Sequence, residues 1–328
     1  MKSFINLFFV DAAMKSEKGS RNEKRMDVWP SMSIKEFTDQ LGGAGYAGKR
    51  MAEAFEIYKK MLDDKKCIKF VAAAGALIAG GMRNIFVKLI RAKAADAMLF
   101  TGAILTHDLI ESFGVHHYQG SSEVDDVDLA KKDVFRMYDV FLEKKGFMKH
   151  EEGIQKILPL LPQKEMSPRE FLMELGKHIK DENSIIKACT DMGVDIYCPS
   201  ITDSMLGFQA WMYGQNHDLK INPQLDIADF MDLVWKEDRT YGMLILGGGV
   251  PKHFVPGMMQ ATGNSLNYII QITMDRPEHG GVSGMQIREA KSWGKVSPDG
   301  LVCDMRCDVT LAFPLLVANI LDYLKEKD

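Results

Sequence analysis

Residues 68–81, with the sequence IKFVAAAGALIAGG, join a run of apolar and β-branched residues to a turn of small residues. The pattern predicts a buried strand over residues 68–74, a Gly-rich turn over residues 75–81 and a helix that begins near Met82. A strand followed by such a turn and a helix is the repeating unit of α/β folds. This stretch therefore sets the expectation for the rest of the chain.

The same rhythm recurs along the chain, and further strands are predicted at residues 97–100, 195–198, 243–246, 267–273 and 301–306. A helix is predicted near Thr106, after the second strand. Another helix is predicted from Ser33 to about Asp64, because apolar residues recur there at helical spacing and Ser33 with Glu36 fits a capping box. We therefore expect an α/β fold with a single large doubly wound, Rossmann-like and mostly parallel sheet, covered by helices on both faces.

Length, charge and cysteine content narrow the class of protein. The 328 residues contain no convincing linker, so we expect one domain over residues 31–328 after a polar N-terminal extension over residues 1–30. The net charge of −4 argues against nucleic acid as a partner. The longest apolar run, residues 70–81, is too short to cross a membrane. Five scattered cysteines indicate a reducing, cytoplasmic setting and no metal site.

The Gly-rich turns are candidates for binding a dinucleotide. Ligands of parallel sheets bind at the carboxyl ends of the strands, and the glycines of residues 75–81 and 247–249 would let the backbone approach a phosphate. Neither turn is a G-x-G-x-x-G or Walker motif, so glycines that only cap strands and pack helices are an equal alternative. Asp203 and Asp308 could each hold a ribose or, equally well, cap the next helix.

Residues 289–295 suggest a binding site for an amine. Glu289 and Trp293 are four residues apart and would share one face of a helix, where a carboxylate beside an indole suits an ammonium group. Lys295 follows Gly294, at which the helix should end. A lysine beside an aromatic wall and other cations loses its proton more easily and becomes a nucleophile. The alternative is that Lys295 is solvated and Trp293 belongs to the core.

Residues 292–295, Ser-Trp-Gly-Lys, resemble the active-site signature of deoxyhypusine synthases. Three other segments resemble that family in order and spacing, namely residues 199–207 (PSITDSMLG), 246–253 (LGGGVPKH) and 313–318 (FPLLVA). The resemblance spans roughly residues 60–320. It agrees with the fold and with both kinds of site that the residues suggest.

The resemblance implies an NAD-dependent enzyme that transfers the aminobutyl group of spermidine to a lysine of the translation factor eIF5A or its archaeal counterpart. It implies that Lys295 forms an imine with that group, that Glu289 and Trp293 line the polyamine tunnel, and that His253 accepts a proton beside substrate and nicotinamide. It also implies a homotetramer with active sites across a dimer interface. The residues implied for NAD binding are Gly75, Ala76, Thr101, Gly102, Ala103, Asp203, Gly247, Gly248, Thr273 and Asp308.

The chain departs from this family at several positions. Phe208 and Val282 stand where typical members have Asp residues that hold the ammonium ends of spermidine, and their loss should weaken binding of a triply charged donor by several kcal/mol. Residues 74–76 read Ala-Gly-Ala for Thr-Ser-Asn, and His107 replaces a Glu of eukaryotic members. Phe208 and Val282 favour one alternative, a homospermidine synthase or a related polyamine-modifying enzyme with another amine donor or acceptor. A dinucleotide-binding module without catalysis is a third possibility, against which the intact site residues at 253, 289, 293 and 295 argue.

Overall fold

The computed structural model describes residues 25–236 and 238–327. Their α-helices are α1 Ile34–Leu41, α2 Tyr46–Asp63, α3 Arg83–Arg91, α4 Gly102–Ser112, α5 Asp126–Lys131, α6 Lys145–Ile157, α7 Pro168–Gly176, α8 Ile185–Met192, α9 Met205–Gly214, α10 Pro223–Val234, α11 Gly249–Thr262 and α12 Val309–Lys325. Their strands are β1 Cys67–Ala73, β2 Ala97–Phe100, β3 Tyr118–Gln119, β4 Val134–Met137, β5 Val140–Glu143, β6 Glu165–Met166, β7 Asp195–Tyr197, β8 Lys220–Ile221, β9 Thr240–Leu246, β10 Leu266–Thr273 and β11 Val296–Arg306.

The central sheet has six strands in the order β11-β10-β9-β1-β2-β7, and each neighbouring pair is parallel. From β1 the chain builds one half of the sheet through β2 and β7. It then returns to the other side of β1 and builds the second half through β9, β10 and β11. The strand order therefore reverses between β1 and β9, as in a doubly wound fold. The predicted fold class is confirmed.

Helices cover both faces of this sheet. Side chains alternate along a strand, so Val71 and Ala73 pack with α2, α3, α4, α8 and α12, whereas Phe70 and Ala72 pack with α10 and α11 on the opposite face. The strands are buried on both sides, which explains why they appear in the sequence as continuous apolar runs.

Two smaller sheets lie outside the central one. The strands β3, β5 and β4 form an antiparallel sheet, and β6 pairs with β8 in parallel. The sequence patterns predicted neither of them. Their strands have two to four residues each, too few to display a clear alternation.

The predicted helix from Ser33 to Asp64 is wrong in its continuity. The chain forms α1 and α2 instead, because residues 42–45, Gly-Gly-Ala-Gly, interrupt the helix. Its predicted start is correct: Ser33 Oγ accepts from the amide of Glu36 at 3.2 Å, and Glu36 accepts from the amide of Ser33 at 2.7 Å. Helix α4 begins at Gly102, four residues before the predicted position near Thr106.

The last strand is longer than predicted, since it begins at Val296 and not at residue 301. Pro298 and Gly300 lie within its first five residues. Because β11 is an edge strand, it tolerates a proline there, and its pairing with β10 shifts in register between Leu266 and Tyr268.

Of the predicted extension, residues 1–24 lie outside the described part of the chain, and residues 25–30 are exposed without helix or strand. Every described helix is too short or too polar to span a bilayer.

Candidate functional site

The two Gly-rich turns meet where the strand order reverses. The amide of Ala74, after β1, donates to the carbonyl of Leu246, at the end of β9, at 3.1 Å. Gly75 has a φ of +91° and Gly247 a φ of +80°, conformations that favour glycine. Helix α11 begins two residues after Gly247, so its N-terminal amides lie at the same edge. Backbone donors therefore converge at the carboxyl ends of the two central strands.

Two glycines near this edge allow close packing. A Cβ atom on Gly248 would lie 2.4 Å from Cα of Ser283, and one on Gly102 would lie 2.2 Å from Cβ of Ser204. Gly102 opens α4, whose N-cap is Thr101. The Oγ1 atom of Thr101 is buried and has no hydrogen-bond partner among the described residues. A buried hydroxyl without a partner at a helix N-terminus can bind a polar ligand.

The remaining residues implied for NAD binding lie at the ends of other strands. Asp308 caps α12, and its Oδ1 accepts from the amide of Thr310 at 2.7 Å. Thr273 ends β10 and is buried. Asp203 is exposed and does not cap α9, because Ser204 does. The capping alternative thus holds for Asp308 but not for Asp203. Ala76 is exposed in the turn after β1, and Ala103 is exposed in the first turn of α4.

A pocket of about 380 Å³ lies on the face of the sheet that carries α11. Its floor includes Ile245, Leu266 and Ile269 from β9 and β10. Its walls come from α11 and from residues 274–295, which we call the β10–β11 connection. The four residues predicted to act on the substrate all line this pocket: His253, Glu289, Trp293 and Lys295.

Lys295 lies directly before β11, and its carbonyl accepts from the amide of Leu266 at 3.0 Å. Its Nζ is 5.5 Å from the ring centroid of Trp293, which is within the range of a cation–π interaction. Trp293 is 62% exposed, so the alternative that it belongs to the core is wrong.

The α-helix expected to carry Glu289 and Trp293 is absent. Ile287–Lys291 forms a short 3₁₀-helix, and Trp293 lies beyond its end. Gly294 does end the segment as predicted, with a φ of +68°. The two side chains still reach one pocket, because the whole connection packs across the sheet face.

Charge in the pocket is unevenly distributed. Among the described residues that line it, Glu289 is the one carboxylate, whereas Lys252, His253 and Lys295 are basic. Most of the remaining lining is apolar. The arrangement suits one ammonium group beside Glu289 and Trp293, with an alkyl chain along the floor.

Comparisons with known proteins identify the family. The family model described as "Deoxyhypusine synthase" matches residues 36–320. The chain belongs to the deoxyhypusine synthase family. It is 40% identical over 304 residues to "Probable deoxyhypusine synthase 1" of Methanosarcina acetivorans, which covers 93% of this chain and 96% of that protein.

Further relatives agree with this family. A probable deoxyhypusine synthase of Methanothermobacter thermautotrophicus is 35% identical over 92% of this chain and 99% of its own length. A crystal structure from Entamoeba histolytica, described as a deoxyhypusine synthase, matches with a TM-score of 0.63 at 16% identity over 88% of this chain and 93% of that one, which shows the fold. The family is one of transferases, so the predicted reaction class is confirmed at the family level.

One lining residue of this deoxyhypusine synthase family member received no predicted role. Lys252 is only 2% exposed, and burial lowers its pKa to about 8. Its Nζ donates to the carbonyls of Val282 and Met285. Helical spacing could have revealed it, because Lys252 shares the buried face of α11 with Val255 and Met259.

The two candidate sites lie at opposite ends of the strands. Lys295 is next to Leu266 at the amino end of β10, whereas Ile272 pairs with Leu246 beside the glycine turn. Six residues separate Leu266 from Ile272, so the distance is roughly 20 Å at about 3.3 Å per residue. Within one chain, Lys295 and the glycine turns are therefore not adjacent, although Ser283 of the connection packs on Gly248.

The positions that depart from the family pattern lie in different parts of the fold. Val282 lines the pocket and is 41% exposed. Phe208 is on α9, beyond the opposite edge of the sheet, where its ring stacks on Trp211 at 5.8 Å. His107, on α4, binds His117 and is not part of the pocket lining.

Proposed function

We propose that this chain is an NAD-dependent, deoxyhypusine synthase-like aminobutyltransferase. Its donor is spermidine, and its acceptor is a lysine of an eIF5A-type translation factor. The observation that supports this most strongly is the convergence of Lys295, Trp293, Glu289 and His253 on one pocket in a member of this family.

Each of these side chains has a chemical task in the proposed reaction. Glu289 and Trp293 bind an ammonium group of the donor by charge and cation–π attraction. The neutral amine of Lys295 adds to the imine carbon of the four-carbon arm. The bond from that carbon to the departing amine then breaks, and 1,3-diaminopropane leaves with the proton. The acceptor lysine displaces Lys295 by the same exchange, and His253 takes up or returns protons beside it.

The turns at the carboxyl edge fit a dinucleotide. Gly75, Gly247 and Gly248 provide a close backbone approach, and the unpaired hydroxyl of Thr101 provides a polar partner. The residues that would hold NAD are those of the turns and strand ends, namely Gly75, Ala76, Thr101, Gly102, Ala103, Asp203, Gly247, Gly248, Thr273 and Asp308. Bound NAD would accept the hydride whose loss turns spermidine into the imine and would return it to the imine of the acceptor lysine, so that the transfer is redox-neutral overall.

We also propose that each chain has a single catalytic domain over residues 31–328. Four such chains form a homotetramer, which is located in the cytoplasm. The roughly 20 Å between Lys295 and the glycine turn of the same chain supports a site that is completed by a second copy.

A trapping experiment tests the proposed function. The protein is incubated with NAD and spermidine, reduced with borohydride, and digested for peptide mass spectrometry. We expect an aminobutyl mass on Lys295 that disappears in Lys295→Ala and when NAD is omitted. Lys291→Ala, at an exposed lysine four residues away, is the matched control and should keep the adduct. Absence of an adduct with every polyamine tried would favour the non-catalytic dinucleotide-binding module.

A donor with fewer charges is the second candidate, and Val282 is the observation that favours it. With Glu289 as the one carboxylate of the lining, the pocket offers little compensation for a trication. In the same assay, labelling of Lys295 by another diamine in preference to spermidine would support a related enzyme with a less charged donor, and preference for spermidine would exclude such a donor. A homospermidine synthase would use putrescine as the acceptor, so putrescine added before borohydride would remove the label from Lys295.

A further inference from the structure

The β10–β11 connection is held by side chains from three neighbouring elements. Its residues contain little secondary structure beyond two short 3₁₀-helices, Pro277–His279 and Ile287–Lys291. Among the described residues outside the connection, five side chains bind its backbone: Lys252 from α11, Gln271 and Thr273 from β10, and Asp304 and Arg306 from β11. The wall of the pocket therefore depends on hydrogen bonds from outside the connection.

Lys252 makes the central contacts of this set. Its ammonium group donates to the carbonyl of Val282 and, at 3.2 Å, to that of Met285. Gln271 Nε2 also donates to the carbonyl of Met285 at 3.2 Å, but no other side chain of the described residues donates to Val282. Removal of the ammonium group would thus leave the carbonyl of Val282 with the amide of Met285 alone, which donates to it at a longer 3.3 Å within the connection and does not tie it to α11.

The hydrogen bonds of Arg306 and Asp304 hold residues of the connection before and after Val282. Arg306 Nη2 donates to the carbonyl of Gly284 at 2.7 Å, and its Nη1 donates to that of Asp275. Asp304 Oδ2 accepts from the amide of Ile287 at 2.9 Å. Val282 is a lining residue, and Ser283 packs on Gly248 of the glycine turn. A shift of residues 282–285 would therefore change both the pocket and the turn.

We propose that Lys252 is a positioning residue, whose ammonium group fixes residues 282–285 on α11 and so sets the pocket wall that faces Lys295. The effect of Lys252 on the reaction rests on the proposed transferase function. Its effect on the position of residues 282–285 does not. Lys252 is not assigned the role of nucleophile, because its Nζ is engaged with two backbone carbonyls.

The electrostatic surroundings make this contact sensitive to pH. Asp304, Glu289 and Asp275 favour the charged form of Lys252, and Arg306 opposes it, but burial dominates and lowers the pKa to about 8. As the pH rises through about 8, the ammonium group loses its charge and the grip on the two carbonyls weakens. An arginine at this position would stay charged.

Hydrogen–deuterium exchange tests the contact directly, whatever the protein catalyses. In Lys252→Met, which has a similar length but no donor, peptides that contain residues 282–287 should exchange at least about tenfold faster. Lys252→Arg should restore slow exchange. Lys69→Met is the matched control, because Lys69 is a half-buried lysine that donates to the carbonyl of Cys67 and does not line the pocket. Unchanged exchange in Lys252→Met would overturn the proposal.

Trapping of Lys295 with borohydride tests the consequence for the reaction. We expect Lys252→Met to lower the rate of labelling by about tenfold or more at equal thermal stability. The ratio of Lys252→Arg to wild type should rise between pH 7 and pH 9. If wild type is labelled and Lys252→Met is labelled equally fast, the positioning role is wrong. If wild type is not labelled at all, the proposed function fails, and the exchange measurement alone decides on Lys252.

Discussion

Val282 is an apolar side chain at a position of the pocket lining where the family pattern has an Asp. The pocket therefore has one carboxylate fewer at this position. Val282 lines the pocket together with Glu289, the one carboxylate of that lining, and it is 41% exposed. Its carbonyl binds Lys252 through the backbone, so its side chain can be exchanged without loss of that contact. This position therefore allows the charge of the pocket to be changed alone.

We predict that Val282→Asp binds spermidine about tenfold more tightly at low salt, since one added carboxylate contributes roughly 1.4 kcal/mol to a partly exposed ion pair. Titration calorimetry with spermidine measures the change. Val127→Asp, on the exposed surface of α5, adds the same charge away from the pocket and should have no effect. Equal gains in both variants would attribute the effect to net charge and contradict the prediction.

Whether the sequence assigned a role to a site residue depended on the chemistry of its side chain. Glu289, Trp293, Lys295 and His253 were found because each carries a reactive or charged group inside a recognisable segment. Lys252 received no role, since a lysine is usually solvated and the sequence does not show that the β10–β11 connection covers it. The connection is positioned by tertiary contacts and not by local propensity.

At the level of elements, the strands of the central sheet were predictable and their surroundings less so. Strands buried on both faces appear as apolar runs, and the ends of β1, β2, β7 and β10 lie within one residue of their predicted positions, whereas β9 begins three residues before its predicted start at residue 243. The break between α1 and α2 depends on Gly42 and Gly45, whose effect is small against a continuous apolar pattern. The sequence did not predict the β4–β5 hairpin. Its turn contains Tyr138, with a φ of +56°, at a position where glycine or asparagine is usual and would have indicated a turn.

Helices α4 and α6 enclose a cluster of histidines that the sequence did not predict. His117 joins Glu111 at 2.7 Å and His107 at 2.9 Å through its two ring nitrogens. His150, on α6, is fully buried, and neither of its ring nitrogens has a partner among the described residues. Burial, together with the neighbouring His107, lowers the pKa of His150 to about 4.

The buried histidine predicts that stability is lost in acid. The unfolded chain binds a proton on His150 near pH 6.5, whereas the folded chain does so only near pH 4. Stability is therefore fully present above pH 6.5 and falls as the pH drops towards 4, by at most about 3 kcal/mol for this group. His107, with its pKa also lowered to about 4 by burial, adds to the same trend.

We predict that His150→Phe flattens this pH dependence. Urea unfolding at several values between pH 4 and pH 7 measures it as the free energy of unfolding. His217→Phe, at an exposed position on the surface, is the control and should keep the slope of wild type. A slope that is the same in His150→Phe and wild type would show that other groups cause the loss in acid.

On the scale of the whole molecule, helix α9 presents an exposed apolar surface next to part of the proposed NAD site. It consists of Met205, Phe208, Trp211 and Met212, and these side chains are 38–60% exposed. The helix begins beside the turn after β2, because a Cβ atom on Gly102 would contact Ser204. A second chain that covered α9 would therefore also cover the Thr101–Gly102 part of the proposed NAD site. Contiguous apolar side chains of this kind are typical of a protein interface.

We predict that Trp211→Asp dissociates the proposed homotetramer, because it exchanges the largest exposed side chain of this surface for a carboxylate that an interface cannot solvate. Light scattering measures the mass against 36.9 kDa for one chain. Trp235→Asp, at an equally exposed tryptophan after α10, is the control and should leave the mass unchanged. A wild-type mass of one chain would contradict the tetramer itself. A tetramer that persists in Trp211→Asp would instead show that α9 is not part of the interface. In that case a partner chain on α9 would not cover the Thr101–Gly102 turn.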